Sequence, residues 1–294
     1  MGNKSKYWTK APLPFTGQKK NWIKTLDSEL DNIDLSGIDT IVDLFGGSGL
    51  MSRFMKDKFP DKKVIYNDYE NYTERIRRIP ETNVILEKLR VIFKDNGIEP
   101  NAKVLDENVK DQIYEVVKDA YDWRTIFANI FFSGPTPTPR TDRRYYNRVV
   151  KNNYAEANDY LDGLEILSCD YQELIKQYNG DNVMYICDPP YLMTDNDSYK
   201  KEAEWKLTEY LDIIRLTNEN SSAFIYFTSE KSGLTDFINW MEQHYEIKMF
   251  KKECKLLNRV SGINYAAVNY DQCLISYNKA VDNNEQELEQ LTLF

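Results

Sequence analysis

Short β-rich apolar runs alternate along the chain with stretches of helical spacing, which is the layout of a parallel sheet covered by helices. A helix is predicted from near Asn21, with Trp22, Ile23 and Leu26 on one face. Ile41-Val42-Asp43-Leu44-Phe45 reads as a buried strand and Gly46-Gly47-Ser48-Gly49 as a tight turn. Leu50, Met51, Phe54 and Met55 then form the apolar stripe of a helix. Lys63-Val64-Ile65-Tyr66 is a second strand closing on Asn67-Asp68. Helices are expected over Glu74–Leu89 and Glu107–Ala120, whereas Trp123–Phe132 is bulky without strand alternation. The strand period returns at Leu164–Cys169, Val183–Cys187 and Ala223–Phe227, with helices at Glu202–Glu219 and Thr235–Gln243. Tyr245–Phe250 and Gln272–Tyr277 are expected to pair as a terminal antiparallel unit.

Length and charge narrow this picture. A chain of 294 residues holds one substantial core and a smaller module. A formal charge of -9 disfavours non-specific wrapping of nucleic acid, although a local basic surface is compatible with it. His244 and the cysteines at 169, 187, 254 and 273 form no C-x-x-C or H-E-x-x-H pattern, so neither a metal site nor a disulfide framework is expected. The N-terminus has no apolar signal core and no run is long enough to span a membrane, so a cytoplasmic protein is expected.

The candidate chemistry lies at predicted strand ends. The glycine turn departs from G-x-G-x-x-G, and no G-x-x-x-x-G-K-[ST] is present. Asp43 beside the turn repels phosphate and favours a cation. Asp68 is placed either to accept from ribose hydroxyls or to cap the next helix. Asp170 has the same two readings, with an adenine amino group in place of the ribose. Asp188-Pro189-Pro190-Tyr191 follows a strand. Its prolines fix φ and remove two amide donors, which leaves acceptors and a ring suited to a planar base bearing an exocyclic amine; a plain turn is the bland alternative. Arg140, Arg143, Arg144, Arg148 and Lys151 are interleaved with Tyr145, Tyr146, Asn147 and Tyr154, a mixture able to contact phosphates and bases or simply to form a solvated face. Lys10, Tyr199 in a polar loop, and Lys255 and Arg259 in a second basic loop complete the expected DNA contacts.

These stretches resemble the Dam-like, alpha-group DNA adenine N6-methyltransferases. Phe15-Thr16-Gly17-Gln18-Lys19 is similar to the segment bordering S-adenosylmethionine, with Gln18 in place of a second glycine. Asp43-Leu44-Phe45-Gly46-Gly47-Ser48-Gly49 resembles the cofactor turn, Asn67-Asp68 the ribose position, Ser168-Cys169-Asp170 the cofactor-adenine position, and Asp188-Pro189-Pro190-Tyr191 the catalytic motif. Phe131-Phe132-Ser133-Gly134 only loosely resembles the family's aromatic-Asn-Gly segment, Ser133 replacing the asparagine.

The resemblance covers roughly residues 14–278 and implies an α/β fold. It is a Rossmann-like S-adenosylmethionine-dependent methyltransferase sheet, residues 1–72 and 160–280, with a mainly helical target-recognition insertion at 73–159. The implied activity is that of an adenine-specific DNA methyltransferase acting on a flipped base in double-stranded DNA, without metal, as a monomer in a bacterial cell or phage-infected host. Cytosine N4 or RNA amine methylation, and a weakly catalytic DNA-binding accessory protein, are the alternatives. Residues 281–294 are an acidic tail ending in Gln290-Leu291-Thr292-Leu293-Phe294, which resembles the peptide that docks into the bacterial sliding clamp; folding back onto the body is the alternative.

Overall fold

A computed structural model describes residues 8–130, 146, 148–149, 151–190, 206–245, 250, 253–261 and 269–277. Seven strands, β1 (Thr40–Asp43), β2 (Lys63–Asn67), β3 (Glu165–Leu167), β4 (Gly180–Cys187), β5 (Ser221–Ser229), β6 (Glu253–Ser261) and β7 (Asn269–Tyr277), form one sheet in the order β3-β2-β1-β4-β5-β7-β6. The first five are parallel, β7 runs antiparallel to β5, and β6 runs antiparallel to β7. The chain winds outward from β1 to β3, then crosses back to β4 beside β1. Strand order therefore reverses between β1 and β4, and in open α/β sheets that reversal leaves a ligand crevice at the carboxyl ends.

Both faces are covered, which is why the central strands read as apolar runs rather than alternating ones. On one face α1 (Ile23–Leu30) and α2 (Leu50–Lys58) pack Trp22, Leu26 and Phe54 against Ile41, Ile186 and Ile225. On the other, α7 (Tyr171–Gln177), α8 (Leu207–Asn220) and α9 (Leu234–Tyr245) cover Val42, Tyr185 and Phe224. Four helices come between β2 and β3: α3 (Tyr72–Arg77), α4 (Ile79–Asp95), α5 (Glu107–Val117) and α6 (Trp123–Ile130). The last three share an apolar cluster of their own, with Leu86, Leu89, Ile113, Ile126 and Tyr146 at its centre.

Three expectations change. The helix predicted over Glu74–Leu89 is two helices, because Pro80 starts a new one: a first-turn proline loses no helical bond, whereas an interior one would. Trp123–Ile130, bulky and without a strand period, is helical. The partner of β7 is Glu253–Ser261, while Tyr245 ends α9. Lys255 and Arg259 thus lie on the edge strand and not in a loop. Lys255 is ion-paired to Glu29 of α1 at 2.5 Å, and Arg259 stands opposite Asp271 in the register. Among the described residues no helix is long and apolar enough to cross a membrane.

Candidate active site

Residues 8–19 form a strap across the carboxyl edge of the sheet, pinned at several points. Tyr72 Oη donates to the Leu13 carbonyl at 3.0 Å and accepts from its amide at 2.9 Å, while Arg75 donates to the Pro14 carbonyl at 2.8 Å. Gln18, which replaces the expected glycine, turns back on the strap. Its amide nitrogen donates to the Leu13 carbonyl at 3.1 Å and its oxygen accepts from the Ala11 amide at 3.3 Å, closing the loop with its own side chain. Phe15 packs edge-on to Tyr72, and its ring lies 3.1 Å from where a Cβ on Gly47 would stand.

The strap delivers Lys19 to the end of β4. Its ammonium meets the Asp188 carboxylate at 2.5 Å, donates to the Gly17 carbonyl at 2.8 Å and lies 5.4 Å from the centre of the Phe227 ring. Burial pushes the Asp188 carboxyl above the usual carboxylate range, and the neighbouring ammonium opposes that rise. The Pro190 carbonyl accepts from Tyr210 Oη of α8. Among the described residues no hydrogen bond to the Pro189 carbonyl is seen.

The glycine turn is shaped by aromatic rings. A Cβ on Gly46 would fall 2.3 Å from the Tyr66 ring, and Tyr66 Oη donates to the Gly47 carbonyl at 2.8 Å. Gly47 and Gly49 both adopt positive φ, at 51° and 70°, as this turn requires. Tyr160, on the return from the helical insertion, donates to the Ser48 carbonyl at 3.0 Å. Asp43 is buried beneath the turn and accepts from Ser52 Oγ at 2.6 Å.

Burial raises the Asp43 carboxyl to about 7, with the Ser52 hydrogen bond opposing the rise and the Asp188 charge adding to it. The folded value exceeds the unfolded one, so this group's contribution is full below the unfolded value and is lost as pH rises toward about 7. Asp43→Asn is expected to remove a slope of about 1.4 kcal/mol per pH unit from the stability curve between about pH 4 and 7. Urea titrations at pH 5 and 7 measure it. An unchanged slope would place the titration elsewhere.

Asp68 is a helix cap: its two oxygens accept from the Tyr72 and Thr73 amides at 2.6 and 2.9 Å, and it shares the one Tyr66 hydroxyl proton with the Gly47 carbonyl. Asp170 caps α7 with Oδ1, accepting from the Gln172 amide at 2.8 Å, and its exposed carboxylate keeps Oδ2 as an acceptor. Tyr171, the next residue, places its ring 5.3 Å from that of Phe45. The wall between them is fixed by Asn67, whose side chain donates to the carbonyls of Leu44 and Cys169 at 2.9 and 3.0 Å and accepts from the Cys169 amide at 3.1 Å. The edge thus brings together Phe15, Lys19, Asp43, Phe45, the glycine turn, Asp68, Asp170 and Asp188. The acidic side chains and carbonyls suit a cationic nucleoside better than a phosphate.

The expected DNA contacts divide. Lys10 and Lys151 are exposed, but Tyr146 is 1 % exposed in the helical core, and Arg148 donates inward to the Ala128 carbonyl. Tyr146 is therefore not presented to a ligand, whereas Arg148 is half-buried, and Lys255 and Arg259 lie on the edge strand, Lys255 exposed. Tyr191, Arg140, Arg143, Arg144, Asn147, Tyr199 and the terminal peptide Gln290–Phe294 lie outside the described residues. Sequence reading missed Tyr66, Asn67 as a clamp, Arg75, Tyr160 and Tyr210, whose partners are distant in the chain. Only Tyr171 carried a local signal, its position directly after Asp170.

Comparison with known proteins places the chain in a family. A curated Haemophilus influenzae protein named "Putative methyltransferase" is 36% identical over 254 residues, 83% of either chain. Among solved structures, a "putative RNA methyltransferase" from Pyrococcus horikoshii aligns over 88% of this chain and 83% of its own, with TM-score 0.36 and 9% identity. A precorrin-6y C5,15-methyltransferase from Geobacter metallireducens aligns over 92% and 100%, with TM-score 0.37 and 8% identity. The family model for D12 class N6 adenine-specific DNA methyltransferases matches residues 15–248, from the strap to just beyond α9, and the chain belongs to that family.

Proposed function

We propose that this protein, as a Dam-like member of its family, methylates the exocyclic N6 of adenine in double-stranded DNA after the base is turned out of the duplex. The observation that carries this reading is the placement of Asp188 and the Pro189 carbonyl at the end of β4, beside the sheet's reversal point and the glycine turn. Those two acceptors take hydrogen bonds from the adenine amine. They draw its nitrogen lone pair out of the ring and fix its direction. Tyr191 supplies a stacking face for the extruded base. S-adenosylmethionine supplies the electrophilic methyl group, held by Phe15, Phe45, the turn at 46–49, Asp68 and Asp170. Asp188 also receives the proton that the amine loses, and Lys19 stabilises its carboxylate form beforehand.

Incubation with methyl-labelled S-adenosylmethionine and unmethylated duplex DNA, followed by nucleoside analysis, is expected to yield N6-methyladenine. Label found only in cytosine N4, or only when RNA is offered, would overturn the proposal.

A further inference from the structure

The α1 face of the sheet carries a second carboxylate near Asp188 that the site above does not use. On β5 and β7, Phe227 stands opposite Cys273 and Ser229 opposite Asp271, one pleat nearer the carboxyl edge. Phe227 and Cys273 belong to the core under α1, so Ser229 and Asp271, two residues on, share that face. Asp188 shares it too, two residues beyond Ile186 of the same core. Phe227 and Asp271 are diagonal neighbours, about 7–8 Å apart. Over the Phe227 ring lies the Lys19 ammonium, 5.4 Å from its centre and 2.5 Å from Asp188. Asp271 is half-buried and makes no side-chain hydrogen bond or ion pair among the described residues, and Arg259, its register partner on β6, forms none with it. Beside it the Ser229 hydroxyl is 7 % exposed and has no partner. Buried polar groups are normally paired, so this open row calls for an explanation outside folding.

The chemistry of the transfer offers one. The lone pair of the amine nitrogen forms the new N–C bond as the S–C bond breaks. The positive charge of the sulfonium passes to nitrogen and leaves as a proton to Asp188. That proton cancels the carboxylate charge paired with Lys19, on a face where water does little to compensate an ammonium. We infer that Asp271 is a positioning residue of this step, whose charge balances Lys19 when Asp188 takes the proton of the amine. The inference rests on the adenine methylation proposed above. It accords with the Asp188 carboxyl, which burial raises, Lys19 lowers and the Asp271 charge raises again. The other titratable groups around Asp188 are Asp43 from β1, Cys187 from its own strand, Tyr226 from β5 and Cys273 from β7; burial holds the last three uncharged.

The test is the pH profile of kcat for the full chain, with methyl-labelled S-adenosylmethionine and unmethylated duplex DNA. Asp271→Asn, which keeps the shape of the side chain, is expected to lower the plateau kcat about tenfold with KM for S-adenosylmethionine unchanged. Without the second negative charge Asp188 gives up a proton more easily and is the weaker base, so the acid limb of the profile moves to lower pH. Asp271→Glu is expected to restore kcat to within about threefold of wild type and to return the limb toward its original position. Asp236→Asn, which alters an exposed acid of α9 on the opposite face, is the control and moves neither value. A fall in kcat with the limb unmoved would make Asp271 structural and overturn the inference, as would an unchanged kcat and limb. Absence of labelled adenine with the wild-type chain would instead overturn the function on which it rests.

Discussion

Asp188→Ala is expected to lower the methyl-transfer rate about a thousandfold while S-adenosylmethionine binding changes by less than about threefold. The carboxylate is the charged member of the acceptor pair at the end of β4, and its removal leaves the Pro189 carbonyl alone to orient the amine. On the proposed mechanism the remaining polar contacts of the edge, from Asp170, Asp68 and the glycine turn, lie on the donor's side and survive the change. The variant also leaves the Lys19 ammonium, only 9% exposed, without its counter-ion. A stability loss of about 1–3 kcal/mol should follow. The double variant Lys19→Met/Asp188→Ala should recover much of that stability and none of the activity. Single-turnover rates, isothermal titration with the cofactor and thermal melts separate the three effects. A rate within about tenfold of wild type would remove Asp188 from the chemistry.

Gly46→Ala is expected to be a strongly damaging conservative change at the carboxyl edge of the sheet. Its Cβ would sit 2.3 Å from two atoms of the Tyr66 ring and 2.8 Å from the Asn67 carbonyl oxygen. The ring cannot easily retreat, since Tyr66 is fully buried and its hydroxyl is tied to both Gly47 and Asp68. Overpacking of this kind costs about 3 kcal/mol, enough to lower the melting temperature by several degrees in a chain of this size. Tyr66→Leu in the same chain should return part of the loss, giving a measurable coupling between the two sites. Equal melting temperatures for Gly46→Ala and wild type would show that the turn moves to accept the methyl group.

The parallel core was readable because its strands carry unbroken apolar runs and each ends in a polar residue at the same edge. Asp43, Asp68, Asp170 and Asp188 are singled out that way. Less legible was what those carboxylates do when no ligand competes for them. Asp68 and Asp170 carry the helix caps weighed beside their ligand roles, and Asp43 is turned toward Ser52. Local pattern cannot choose between cap and ligand, because both ask for an acid just before a helix. The misplacement of β6 has a similar origin: Glu253–Ser261 is an edge strand with charged and polar positions, so its period resembles that of a solvated loop. Tyr146 was misread because an aromatic flanked by arginines looks like a base-reading surface, whereas its ring completes the core of the insertion.

Asn67 gives the edge a mechanical property. One amide group, carried by β2, ties the ends of β1 and β3: sliding β1 would break its bond to Leu44, and sliding β3 its two bonds to Cys169. Phe45 and Asp170, each one residue beyond an anchored position, are therefore held at a fixed gauge. On the proposed reading, a donor with a bulkier purine would find no hinge to exploit there, and the sheet would set selectivity for the nucleoside before any partner arrives.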